Sequence, residues 1–176
     1  SSSPNPWGAA LDTHPGWHVD RSTHGFFGGS PTTSDPLGCV VRAGTGEDMQ
    51  RAYWYISSRD WRELEPAEAV GRESARRTID RLGPQKLSTR RAPILYVPEI
   101  ARSLIGHIVA AIRGSSQYRQ SSFLLNSAGQ QVFPSGFSIA EHPHIPKAMG
   151  SAPFDEEGVA TRDRELVADG ILTGYI

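Results

Sequence analysis

The chain has 176 residues, with 18 Lys and Arg against 19 Asp and Glu, for a formal net charge of −1. That is room for one or two small domains with a real core, and the balanced charge argues against non-specific nucleic-acid binding, which needs a positive field to displace counterions. The one cysteine, Cys39, excludes an internal disulfide and fits a reducing compartment; no apolar run is long enough to span a membrane and no signal-peptide pattern opens the chain, so the expected location is the cytoplasm.

Residues 1–16 are rich in Ser, Pro and Gly and are expected to form a flexible arm. From Trp17 to Phe27 the residues alternate loosely, up to Gly28-Gly29. LGCVVRAG (37–44) and MQRAYWYI (49–56) read as two strands joined by Thr45-Gly46-Glu47-Asp48. In the second strand Met49, Arg51, Tyr53 and Tyr55 fall on one face, and Gln50, Ala52, Trp54 and Ile56 on the other.

PAEAVGRESARRTIDRL (66–82) reads as a helix, with Pro66 in its first turn and Gly83-Pro84 ending it. At 100° per residue, Ala67, Gly71, Ala75, Thr78, Ile79 and Leu82 form one stripe, small enough to lie close on a sheet. Arg72, Arg76, Arg77 and Arg81 occupy the other side. A nucleic-acid face is one reading of them; Glu73 and Asp80 interrupt the run and favour a solvated, ion-paired face.

Pro93 to Val97 is short, apolar and β-prone, as a buried strand should be. From Pro98 to about Arg113 the period becomes helical, with Ile100, Ala101, Leu104, Ile105, Ile108, Val109, Ala111 and Ile112 covering about half the circumference, as in a core helix. Glu99 opens it, and His107 lies at the border of the apolar face, one turn from Ser103. A lone histidine there is ordinarily a hydrogen-bonded structural residue; a peptide-binding or catalytic part is the other reading.

After a polar stretch and a turn at Ala128-Gly129, Pro143, Pro146 and Pro153 prevent any long regular element. Glu141, His142 and His144 offer a metal-ligand spacing, since two histidines two apart on an extended chain point the same way. Asp169-Gly170, between Arg164-Glu165-Leu166-Val167 and Ile171-Leu172, is a strong hairpin signal. The chain opens without a methionine and stops at GILTGYI, within what reads as a strand, so a piece of a longer protein is expected. The fold class is α+β: two helices, 66–82 and 98–113, packed on a largely antiparallel or mixed sheet, with the direction of strand 93–97 left open.

The strings MQRAYWY, AVGRESARRTIDRLGPQKLSTRRAPILYVPEIARSLIGHIVAAIRG, YRQSSFLL, GQQVFP, EHPHIPKAMGSAPFDEEGVATRD and DGILTGYI, in that order, resemble the TldD/PmbA metallopeptidase family. The closer resemblance is to its PmbA branch, also called TldE and described as a modulator of DNA gyrase. It covers residues 17–176, the central part of such a protein, spanning the end of its N-terminal domain and the start of its C-terminal domain; residues 1–16 carry none of it.

The resemblance implies a cytoplasmic peptidase system that processes unfolded peptides, with roles in leader-peptide removal during microcin maturation and in antitoxin turnover. Its catalytic branch carries a zinc motif, His-Glu, three residues, then His, where this chain has PEIARS. Pro98 then stands in place of the first histidine and Ser103 in place of the second, and Glu99 alone matches. So the resemblance implies no catalytic residue and no zinc in this chain, a zinc-bearing TldD-like partner in a heterodimer, and no direct contact with nucleic acid or membrane. His107, Tyr118 and Arg119 are the candidates to line a substrate cavity. Two other readings stand beside it: a peptidase using Glu141, His142 and His144, and a regulatory binding protein acting on gyrase or another partner.

Overall fold

The structure is a computed structural model and describes residues 4–176. It divides into two compact units: one of residues 4–88 with 143–161, and one of 89–142 with 162–176. Every strand pair among the described residues is antiparallel, and with three helices the fold class is α+β.

The first unit is built on strands β4 (Asp35–Ala43) and β5 (Gln50–Ser58), paired from Asp35↔Ser58 to Ala43↔Gln50. β1 (Asn5–Leu11) adds to the free edge of β4. This corrects the expected flexible arm over 1–16, whose residues 1–3 lie outside the described residues. NPWGAAL reads as a loop because it holds Pro and Gly. An edge strand tolerates a proline that need not donate to a ladder, and the register shifts between Pro6 and Gly8 absorb it as a bulge.

β2 (Gly16–Arg21) and β3 (Phe27–Thr32) form a separate hairpin. Gly28-Gly29 therefore lies inside a strand and does not end one. The turn is made at Ser22–Phe26, where the Ser22 amide donates to the Phe26 carbonyl at 3.0 Å.

Helix α1 (Ala67–Ile79) packs across β4 and β5. The two faces expected for β5 are observed: Ala52 is buried and Trp54 and Ile56 are half-buried, whereas Met49, Tyr53 and Tyr55 are exposed. The buried stripe of α1, however, is Val70, Ser74 and Thr78, and Ile79 is 45% exposed. The expected stripe is thus rotated. The reason is that its two hydroxyls do not need water: Ser74 Oγ donates to the Cys39 carbonyl at 2.9 Å, and Thr78 Oγ1 faces the Ser74 carbonyl of its own helix at 2.8 Å and that of Val41 at 3.2 Å. On the outer side Glu73 pairs with Arg76 and Arg77, both at 2.7 Å, and the Arg77 guanidinium lies 4.0 Å from the Trp54 ring centre. Arg72 and Arg76 form a solvated, ion-paired face, whereas Arg77 is half-buried against Trp54 and Arg81 donates to the Arg51 carbonyl.

The second unit contains α2 (Pro98–Ala111), α3 (Gly114–Tyr118) and the sheet β6 (Ile139–Glu141), β7 (Arg164–Ala168) and β8 (Ile171–Leu172). Its core gathers Ala111, Ile112, Leu124, Leu166, Val167 and Leu172. The carbonyls left open at the end of α2 are met by side chains: Gln117 Nε2 and Ser122 Oγ both donate to Ala111 O at 2.7 Å, and Ser116 Oγ to Ala110 O at 2.9 Å. The Asp169-Gly170 hairpin forms as its sequence demands, both residues taking positive φ, 47° and 82°.

Two expectations fail in this unit. Residues 93–97 form no strand, and Ile94, Leu95 and Val97 are 72%, 96% and 51% exposed. A β-prone run becomes a strand only with a ladder partner, and among the described residues none pairs with it. Nor is α2 a core helix throughout. Its last turn enters the core through Ala111 with Ile112, while Ile100 and Leu104 are 53% and 45% exposed.

Candidate functional site

The start of α2 is set by Val97 and Pro98. Val97 holds extended backbone, and its carbonyl accepts from the Ile100 and Ala101 amides at 2.9 and 2.8 Å. Pro98 takes the first helical position, where no amide hydrogen is required. Glu99 follows in the first turn, where a negative charge complements the helix dipole. Ser103 lies one turn further, and its hydroxyl donates back to the Ile100 carbonyl at 2.6 Å.

This set does not fit a zinc ion. Zinc binds Cys, His and carboxylate side chains. Pro98 offers no donor atom, Ser103 is a neutral hydroxyl spent on its own helix, and Glu99 is the one carboxylate of the three.

His107 is exposed one turn beyond Ser103 on α2. Tyr118, 91% exposed, and Arg119, also exposed, stand at the end of α3. The structure thus spreads these three over two solvent-facing helix surfaces.

Glu141, His142 and His144 each have other company. Glu141 forms an ion pair with Arg164 across β6 and β7. His142 Nδ1 lies 3.4 Å from a carboxylate oxygen of Asp163, and His144 Nε2 is 3.0 Å from Thr161 Oγ1. Among the described residues no three His, Cys, Asp or Glu side chains are grouped to hold a metal ion.

One polar cluster went unseen in the sequence. Asp60 caps the short 3₁₀ turn Trp61–Glu63 by accepting from the Arg62 amide at 3.1 Å. It also accepts from Arg62 Nε at 2.9 Å and from Lys147 Nζ at 3.0 Å, and the same lysine bonds Glu63. The Arg62 side chain first, then Lys147, hold the Asp60 carboxyl far below the usual carboxylate range. Glu63, then Asp60, raise the Lys147 ammonium. Beside them, Arg59 binds the Ala148 and Met149 carbonyls through Nε and Nη2 at 3.1 and 2.8 Å, and Thr32 Oγ1 through Nη1 at 2.6 Å. No local spacing announces these bonds, because Lys147 and its carboxylates are 84 and 87 residues apart.

Comparison with known proteins connects both units to one family. Residues 21–82 match the PmbA/TldA metallopeptidase central domain, and residues 89–176 the PmbA/TldA metallopeptidase C-terminal domain. The chain is 44% identical over 172 residues to Metalloprotease PmbA of Escherichia coli O157:H7, and 41% identical over 172 residues to the Metalloprotease PmbA homolog of Haemophilus influenzae. In each case this is 98% of the chain and 38% of the relative, so the chain spans well under half the length of the relatives it matches. An alignment of 172 of 176 residues takes in most of the first sixteen, which corrects the expectation that they carry none of the likeness. A crystal structure from Bacteroides thetaiotaomicron, a candidate modulator of DNA gyrase, superposes with a TM-score of 0.86 at 27% identity, over 95% of this chain and 38% of that one. No helix among the described residues is long and apolar enough to cross a membrane. Matched in order by two domain models of one family and with a PmbA-like fold, the chain belongs to the PmbA/TldD metallopeptidase family, on its PmbA side.

Proposed function

We propose that this chain is part of a non-catalytic PmbA-type subunit, working in the cytoplasm with a TldD-like catalytic partner that holds the zinc and cleaves the peptide. The observation that carries the reading is the donor set at the start of α2: Pro98 and Ser103 cannot serve as zinc ligands, so Glu99 has no metal-bound water beside it to deprotonate. The helix that carries them is nevertheless regular, opens with a proline at its first position and is anchored at its far end in a core. A scaffold kept without its ligands suits a subunit that shapes a cavity and leaves the chemistry to its partner. The proposed substrates are unfolded peptides, among them the leaders of peptide antibiotics and antitoxins, and His107, Tyr118 and Arg119 are the proposed cavity-lining side chains.

The test is co-expression of the full-length protein that carries this chain with the TldD-like chain of the same host. Cleavage of an unstructured peptide is expected from the pair, with zinc recovered in the partner. Cleavage by the PmbA-type protein alone, with one zinc per chain that is lost on replacing His142 or His144, would overturn the reading.

A further inference from the structure

The chain passes from the second unit into the first at Pro143 and back out at Arg162. Between those points it forms a strap laid against the rest of the first unit. Its hold is mostly polar. Arg59 grips two consecutive carbonyls, of Ala148 and Met149, while anchored on Thr32. Lys147 reaches between Asp60 and Glu63. The apolar contribution is small: of residues 143–161 only Pro143 is fully buried, Phe154 is half-buried against His18 and Phe26, and Ile145, Met149 and Val159 are 52%, 45% and 58% exposed. Lys147 also takes left-handed backbone, φ 61°, a conformation that costs energy for a non-glycine residue unless its surroundings hold it there. The strap and β2–β3 wall an open groove of about 770 Å³, lined by His18, Ser30, Thr32, Arg59, Ile145 and Phe154 among others.

We propose that residues 143–154 are a releasable flap, here called the lid, that forms one wall of this groove and is latched by Lys147 between Asp60 and Glu63 and by Arg59 on the Ala148 and Met149 carbonyls. A segment with little buried apolar surface belongs to the low-stability end of a fold and opens without unfolding what it rests on. Here the sheet β1-β4-β5 and α1 have their own buried residues Val41, Ala43, Ala52 and Val70, none of which lies in the lid. The latch is ionic, and although Asp60 is only 13% exposed, Lys147 and Glu63 stand half in water at 52% and 50%, so salt weakens it while leaving that core intact. The inference does not rest on the subunit reading above.

Hydrogen exchange followed by mass spectrometry on the full-length protein tests it. The lid's own turns, Ala148 N to Ile145 O, Ser151 N to Ala148 O and Ala152 N to Pro143 O, report closure, and the amides of α1 report the body. Raising salt from about 0.05 M to about 1 M should speed exchange in 144–152 several-fold and leave α1 unchanged. Lys147→Glu should speed it on the order of tenfold at low salt, and adding Glu63→Lys should restore much of the protection. The proposal fails if neither salt nor Lys147→Glu changes exchange in 144–152, if the lid loses protection only together with α1, or if the charge swap restores nothing.

Discussion

Ser74 in α1 donates its hydroxyl hydrogen to the main-chain carbonyl of Cys39 in β4, 2.9 Å away and 35 residues back along the chain. Ser74 has no exposed surface. The bond therefore fixes both the rotation of the helix and its height over the strand. Ser74→Ala removes the donor and leaves a small void, and should lower stability by about 1 kcal/mol. Ser74→Leu should cost more, because the helix would have to lift off the sheet. Urea denaturation of both variants measures this; an unchanged midpoint for Ser74→Leu would mean that the helix does not dock on this face.

Acid should loosen the same helix from its outer side. Arg76, then Arg77, hold the Glu73 carboxyl down, from an ordinary 4.5 to about 2. A carboxyl depressed in the folded state favours folding above its ordinary value, and that contribution disappears as the pH falls through 4.5 toward 2. Glu73→Gln should accordingly lower stability at neutral pH, where the pairs contribute in full, and flatten the acid limb, so that the two curves converge as the pH falls toward 2. Thermal melts at several pH values between 7 and about 2.5 give both curves.

Much of the fold could be read from local signals, and the failures share one cause. The β4–β5 hairpin, the span of α1 and the Asp169-Gly170 turn all depend on neighbours in sequence, through alternation, capping and backbone conformation. What depends on distant partners leaves no local signal. Residues 93–97 have a strand's composition but find no ladder partner among the described residues. NPWGAAL has a loop's composition and is a strand because β4 offers an edge. Ser74 looks polar and is buried because a carbonyl waits for it. At the candidate site, the reading of Pro98 and Ser103 as standing where a catalytic relative has histidines comes only from family resemblance, since a proline and a serine at a helix start mean nothing alone. The Lys147 latch was not legible by any route, because the proline-rich segment that carries it shows no periodicity.

The two ends of α2 should respond differently to mutation in this chain. Ile112 has no exposed surface and touches the core of the second unit. Ile112→Ala should cost about 3 kcal/mol. Leu104 lies 45% exposed two turns earlier, so a charge there keeps its water, and Leu104→Asp should cost well under half as much. The sequence alone would have placed Leu104 in the core and made that aspartate prohibitive. Equal losses from the two changes in chemical denaturation would show that both turns are buried.

Gly170 should tolerate nothing larger. Its φ is 82°, and a Cβ added there would overlap the carbonyl oxygens of Phe133 and Pro134. Its amide also donates to Phe137 O at 2.7 Å, so the turn cannot shift without losing that bond. Gly170→Ala should cost at least about 2 kcal/mol. Asp169→Asn, which keeps a side-chain acceptor for the Gly136 amide and a residue suited to positive φ, should be much milder. Melting temperatures of the two variants settle the comparison.

The place of the chemistry is tested at Glu99. Glutamine has nearly the same shape as glutamate and keeps a carbonyl oxygen in the first turn of α2, but it cannot take up a proton near neutral pH. If Glu99 is a general base, Glu99→Gln in the assembled pair should lower peptide cleavage by roughly two to four orders of magnitude. Under the proposal made here it should change cleavage little, because Pro98 and Ser103 give no ion to activate a water beside it. The equivalent glutamate in the TldD-like partner carries the opposite expectation, and its replacement by glutamine should abolish cleavage. Each pair must first be shown to assemble, by size-exclusion chromatography, so that a lost interface is not mistaken for lost chemistry. A several-hundredfold fall from Glu99→Gln alone, with assembly intact, would make PEIARS a working site and end the case for a non-catalytic subunit.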